Sequence, residues 1–409
     1  TQKNAVGAFD SLGFSSWNFI GKLGILSGII ILSFYNVVAG WAFGFFVEMV
    51  TGNFQIGSQF SEFTVDIIKI GGYAILFLTT TAIIVSRGIS AGIEKAAKIL
   101  MPTLIIMIVG LLIYAFTLPY SGVGLKYYLI PEFSELNLQT IGGALRQAFF
   151  SLSLGMGALI TYGSYLSKKE NIVSSAALIT LFDVGIAFIA GLMLFPIVAY
   201  STGGDMTDVQ GGAGLIFTVL PGVFESLGGT LGAIVGGGFF LLLSFAALTS
   251  TVSLLEVPVS YIVDEHKKSR KAAVIISAAV IFILGIPSLV GNGYSAFFTQ
   301  FITYVGADAP TDVMTFLGHL ADTFLLLGGL LIVSFTAFVW KKESLYEELS
   351  YGYVGFQTSK VKTFLNFAIT LLCPALFAIL FVKSKLSTSS LNHLDTLSTP
   401  ASARTLHIE

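Results

Sequence analysis

Charge is scarce in this chain. Of its 409 residues, 21 are Lys or Arg and 23 are Asp or Glu, so 11% are charged, against roughly a quarter in an ordinary soluble domain. Hydrophobic residues make up 55% and the mean hydropathy is +0.86, which excludes a soluble protein with a large core. Cysteine is nearly absent: Cys373, alone in the apolar run 365–382, excludes a disulfide framework and leaves the redox compartment open. The four histidines (His266, His319, His393, His407) are scattered and lack the spacing of a metal site. No glycine-rich phosphate loop of the P-loop type occurs, so nothing points to ATP hydrolysis as an energy source. The polar stretch Thr1–Ser16 does not read as a signal peptide.

What the chain has is long apolar segments. They fall at 22–50, 65–86, 97–117, 141–165, 172–200, 231–263, 271–290, 320–340 and 362–383, each long enough to cross hydrocarbon as a helix. The segment at 231–263 is long enough to tilt or to project beyond the bilayer. The expected fold class is therefore an all-α polytopic membrane protein. The cations set its orientation. Placing Lys3 and Lys22 inside also places there Arg87, Lys95, Lys98, Lys168, Lys169, Lys267, Lys268, Arg270, Lys271, Lys341, Lys342, Lys360 and Lys362. Only Lys69, Lys126 and Arg146 then lie outside before the last segment ends, fifteen against three, so the N-terminus is expected in the cytoplasm. The outer connections are the long ones. One of them carries the apolar stretch 211–221, which reads either as a lid dipping back into the protein or as a short surface helix pair. Residues 1–385 read as one transmembrane domain and the Ser/Thr-rich stretch 386–409 as a polar, disordered tail.

The fourth segment is interrupted. Gln147-Ala148-Phe149-Phe150-Ser151-Leu152-Ser153-Leu154-Gly155-Met156-Gly157 places two serines and two glycines in its middle. A helix should loosen there, and hydrocarbon tolerates freed backbone groups only where they line a cavity or meet a ligand. Asp183 sits deep in the next segment. A carboxylate at that depth is costly and faces the bundle interior, as a sodium ligand, a proton carrier, a fixed charge beside a cation, or a structural hydrogen-bonding group. In Ser244–Ser253, Ala246, Thr249 and Ser250 share one helix face at i, i+3 and i+4. Two hydroxyls and a helix carbonyl suit an alkali cation, although taken alone the plainer account is helix packing with back-bonded hydroxyls. Tyr35 lies in mid-segment. Its phenol needs a partner, either a substrate carboxylate or, more commonly, a backbone carbonyl. Glu256, two residues before Pro258, reads as a structural cap for backbone freed by that proline.

These residues resemble the neurotransmitter:sodium symporter family, whose fold is the leucine-transporter-type five-plus-five inverted-repeat bundle. Asn4-Ala5-Val6-Gly7-Ala8-Phe9 is similar to that family's first cytoplasmic loop, and Tyr35 with Trp41 to its third helix. Ser86 through Lys95 resembles the entry to the fifth, Phe149–Gly157 the unwound sixth, and Ala246–Ser250 the sodium-binding part of the eighth.

The resemblance implies a division of labour. Tyr35 would bond the substrate carboxylate, with Ile31, Met156 and Leu254 lining the pocket, Phe150 forming an aromatic lid and Ser153 in the unwound backbone. Ser250, on the same helix face, borders both substrate and ion. Ser151 would serve the first sodium ion. Asp183 falls where the family usually has an asparagine ligand of that ion, so the resemblance implies a built-in negative charge and transport that needs no chloride. The Ala246 carbonyl, Thr249 and Ser250 would hold the second sodium ion. Phe150 and Asp312 would serve the outer gate. For the intact protein the expected function is sodium-coupled symport of small zwitterions, hydrophobic or aromatic amino acids first, with two sodium ions, in the cell membrane, and not enzymatic. The expected partners are the amino acid and the lipid bilayer, with no nucleic acid and room for a homodimer. Helices corresponding to the family's first two are expected to be missing before Thr1, the chain supplying family helices three to eleven. A truncated, non-transporting binding or regulatory membrane protein is the rival reading.

Overall fold

The structure, a computed structural model, describes residues 1–207, 209, 212–304 and 309–376. Its regular elements are helical, and the described residues hold a single isolated β-bridge, Ile302 to Thr311. Among the described residues, seven helical stretches are long and apolar enough to cross a bilayer. The principal helices are α1 (Phe19–Val50), α2 (Ile67–Ser86), α3 (Lys95–Thr117), α4 (Leu138–Ser151), α5 (Ala158–Gly163), α6 (Ile172–Ser201), α7 (Gly229–His266), α8 (Arg270–Val290) and α9 (Val313–Ser334).

Seven rather than nine has a local cause. The segment expected at 141–165 is divided into α4 and α5, neither long enough to cross alone. The last segment begins as the helix Lys360–Phe367 and passes beyond the described residues after 376. The tail expected at 386–409 lies outside them altogether. Helix starts follow side-chain caps: Asp66 accepts from Lys69 N at 3.0 Å, Asn171 from Ser174 N at 3.0 Å and Asp312 from Thr315 N at 2.9 Å.

The helices α1 and α7 form the centre. In their most apolar windows 61% and 50% of residues are buried, against 11% and 6% for the spans containing α3 and α6, which therefore present most of their surface outward. Lipid gives no hydrophobic drive between helices, so close packing of small residues must hold them together. On α1, a Cβ at Gly40 would stand 3.0 Å from Ala74 N of α2. Two large apolar clusters result. One gathers Phe45, Met49, Phe217, Phe224 and Phe240, and the other Ile31, Leu32, Met156, Leu254 and Val257. The apolar stretch after residue 211 resolves its two readings by seating itself inward. Phe217, Leu220 and Phe224 are buried, and the Phe217 ring stacks on Phe60 with centroids 5.5 Å apart.

Candidate functional site

Between α4 and α5 the chain leaves the helical path over 152–157. Leu154 N reaches back to Phe149 O at 2.9 Å, and the regular ladder resumes only with Thr161 N to Gly157 O at 2.9 Å. Gly155 and Gly157 have φ of 79° and 75°, where a side chain would be strained, and Ser153 accepts that strain at 55°.

Neighbours clamp the break by touching its backbone. A Cβ on Gly155 would collide with the Leu325 carbonyl of α9, and one on Gly328 would stand 2.7 Å from Gly155 O. Across the break, a Cβ on Gly24 of α1 would lie 2.8 Å from Gly157 N. Gly28, one turn on, faces both Met156 O and Leu254 O, at 3.6 and 4.0 Å from its Cβ position. The interrupted strand is thus wedged between α1, α7 and α9, with its polar groups at the junction.

At the lip of the break, Ser151 Oγ donates to Asp183 of α6 at 2.7 Å to Oδ1 and 2.9 Å to Oδ2. Both groups are negative or oxygen-rich, and Ser151 ends α4, the end of a helix that carries partial negative charge. A carboxylate, a hydroxyl and helix-end carbonyls form a hard oxygen set, suited to an alkali cation. On α7, Thr249 Oγ1 and Ser250 Oγ both turn to Ala246 O, at 2.8 and 3.4 Å, so three oxygens meet on one face. The Tyr35 phenol of α1 faces Ser250. Ile31, Met156 and Leu254 are buried in a single apolar cluster, with Tyr35 and Phe150 packed against it.

Asp312 lies at the start of α9. Both of its oxygens are engaged by Thr315, one by the backbone N–H and the other by the hydroxyl at 2.7 Å. It serves there as the N-cap of α9.

Three polar arrangements escape a reading of the sequence. Glu256 does not cap the backbone before Pro258. It is fully buried, and its carboxylate is gripped by the Arg270 guanidinium, with Nη1 to Oε1 at 3.2 Å, while Tyr165 donates to Oε1 at 2.6 Å. A buried carboxylate needs a cation more than a strand of backbone does. Asn4, also fully buried, ties the N-terminal loop to the end of α7 by donating to Glu265 Oε1 at 2.7 Å and Asp264 Oδ2 at 3.3 Å. Asp322, inside α9, lies within electrostatic reach of Arg146 on α4 and of His319. Its signal was a lone acid in an apolar helix.

A model of the sodium:neurotransmitter symporter family matches residues 68–408. The chain is 32% identical over 384 residues to an uncharacterized sodium-dependent transporter of Haemophilus influenzae, an alignment covering 90% of this chain and 79% of that protein. It is 35% identical over 299 residues to the uncharacterized sodium-dependent transporter YhdH of Bacillus subtilis, covering 71% of this chain but 65% of the relative, just under two thirds of its length. Among solved structures, that of MhsT in complex with L-phenylalanine superposes with a TM-score of 0.82 at 35% identity, over 94% of this chain and 85% of the other.

Proposed function

The chain belongs to the sodium:neurotransmitter symporter family, multi-pass membrane proteins that are secondary transporters and not enzymes, and from that premise we propose that it carries out sodium-driven uptake of an amino acid with a large apolar or aromatic side chain. The observation that carries this reading is the pairing of Ser151 with Asp183 at the edge of the broken helix. It brings an anionic oxygen set to the point where backbone groups are freed, which is what co-binding of a cation and a zwitterion requires.

In this reading Ser151 and Asp183 hold a first sodium ion, and the Ala246 carbonyl, Thr249 and Ser250 hold a second. The Tyr35 phenol, facing Ser250, bonds the substrate carboxylate. Ile31, Met156 and Leu254 contact the side chain, beside the Ser153 backbone. That MhsT was solved with L-phenylalanine favours an aromatic substrate. Met156, unbranched and polarizable, suits a pocket that accepts rings. Phe150 closes the outer side, with Asp312 at its mouth. Asp183 supplies a fixed negative charge beside the first ion, so no chloride is needed. Ion occupancy orders the interrupted segment, and the bundle then rocks to open inward. The excess of Lys and Arg on one side supports a cytoplasmic N-terminus in the cell membrane.

The test is uptake of labelled phenylalanine into proteoliposomes. An inward sodium gradient should drive accumulation above equilibrium, and a potassium gradient should not. Accumulation that ignores sodium would refute the reading, as would binding without transport.

A further inference from the structure

A second feature lies on the outward faces of α2 and α8, away from the interrupted helix. A cleft of about 580 Å³ runs between them. Its floor is Leu78 and Val274, both buried, and the small side chains of Ala82 and Ala278 leave the trough open. Its lips are Ile75, Ile83 and Ile275, about half exposed or more. One end is polar, formed by Ser86 and Lys271. From Ile75 to Ser86 is eleven helical steps, roughly 16 Å, about half of a ~30 Å hydrocarbon core. The cleft therefore has the length of one leaflet.

The polar end carries cations that form no salt bridge. Arg87 follows Ser86, and Lys267 and Lys268 precede α8. Among the described residues, none of these three, nor Lys271, forms a salt bridge. Of the nearby acids, Glu94 pairs with Lys98 and Glu256 with Arg270, while Asp264 and Glu265 accept from the neutral Asn4 amide and keep their charge at the end of α7. We propose that this cleft binds one anionic diacyl phospholipid, with an acyl chain along the trough and the phosphate at Lys271. Apolar length and a cationic rim at one end match that amphiphile, and basic pockets between membrane helices recognise such headgroups. A second copy of the chain fits less well. A twofold axis along the membrane normal would set two cationic rims at the same level with no anion between them. The cytoplasmic leaflet is the source given the orientation proposed above. Binding itself does not depend on that orientation and is tested apart from it.

The experiment uses the purified protein in an uncharged detergent, with native mass spectrometry and thermal unfolding as readouts. Phosphatidylglycerol, phosphatidylcholine with the same acyl chains, and glycerol 3-phosphate are added in turn. The expected result is one phosphatidylglycerol per chain with a raised unfolding temperature, and little response to the other two. Lys271→Gln should lower phosphatidylglycerol affinity about fivefold, and Ala278→Phe should block it by filling the trough. Lys271 is an exposed rim residue, so that variant is informative even where the Phe variant fails to fold. The proposal is overturned by equal occupancy with phosphatidylcholine, by a full response to glycerol 3-phosphate, by unchanged affinity in Lys271→Gln, or by no lipid retained because a second copy covers the cleft.

Discussion

Ser151 Oγ lies 2.7 and 2.9 Å from the two carboxylate oxygens of Asp183, although 32 residues separate them in the chain. The bond joins the last residue of α4 to the interior of α6. It places a fixed charge beside backbone that has left the helix. The hydroxyl satisfies a carboxylate that would otherwise be expensive in this setting. It is also positioned to share an ion with that carboxylate.

Removing the hydroxyl should weaken the ion site without removing its charge. Hydrogen bonds to charged groups contribute about 1.5–3 kcal/mol, and the lower end suits a site as open as this one. Ser151→Ala should therefore raise the half-saturating sodium concentration for uptake about tenfold, as read from a sodium titration, with a modest fall in the unfolding temperature.

The break should not tolerate a side chain at Gly155. Its φ of 79° is unfavourable for any L-residue, and a Cβ there would strike the Leu325 carbonyl. Gly155→Ala should lower the unfolding temperature and abolish uptake. Gly163 has no neighbour within 4 Å of its Cβ position, so Gly163→Ala should be neutral or stabilising by up to about 1 kcal/mol. Paired thermal melts separate the two.

Inside α7 the buried Glu256 depends on Arg270. Removing one partner of a buried ion pair typically costs about 3–5 kcal/mol, because the other is left uncompensated. Arg270→Gln should destabilise by that order. Adding Glu256→Gln should recover much of the loss, since the double variant buries no unpaired charge. A double-mutant cycle on unfolding temperatures measures the coupling.

Tyr35 offers a test of substrate recognition that leaves every proposed ion ligand in place. Tyr35→Phe removes the phenol that faces Ser250 and keeps the ring. It should raise KM for the amino acid about tenfold through loss of a charge-assisted bond. The sodium titration should be altered much less.

The interruption was legible because hydrocarbon forbids idle backbone polarity, so serines and glycines inside an apolar run carry meaning. The start of α9 was not. Hydropathy placed it near residue 320, whereas the helix begins at Val313, because Thr315, His319 and Asp322 dilute the apolar signal and the Asp312 cap marks the start instead. Glu256 was misread for a different reason. Its cation lies 14 residues further on, beyond the turn into α8, and spacing says nothing about which side chains the turn brings together. The stretch after residue 211 was ambiguous in the chain alone, because the same apolar residues would serve a surface helix or an inserted one. The aromatic cluster around Phe45 and Phe217 decided it.

The most direct test of the account is sodium-dependent binding of labelled phenylalanine to the wild type and to Asp183→Asn, each with and without chloride. The account predicts that the wild type binds in sodium regardless of chloride, whereas the variant loses sodium affinity and recovers part of it when chloride is supplied. An Asp183→Asn protein with wild-type sodium affinity and no response to chloride would contradict it.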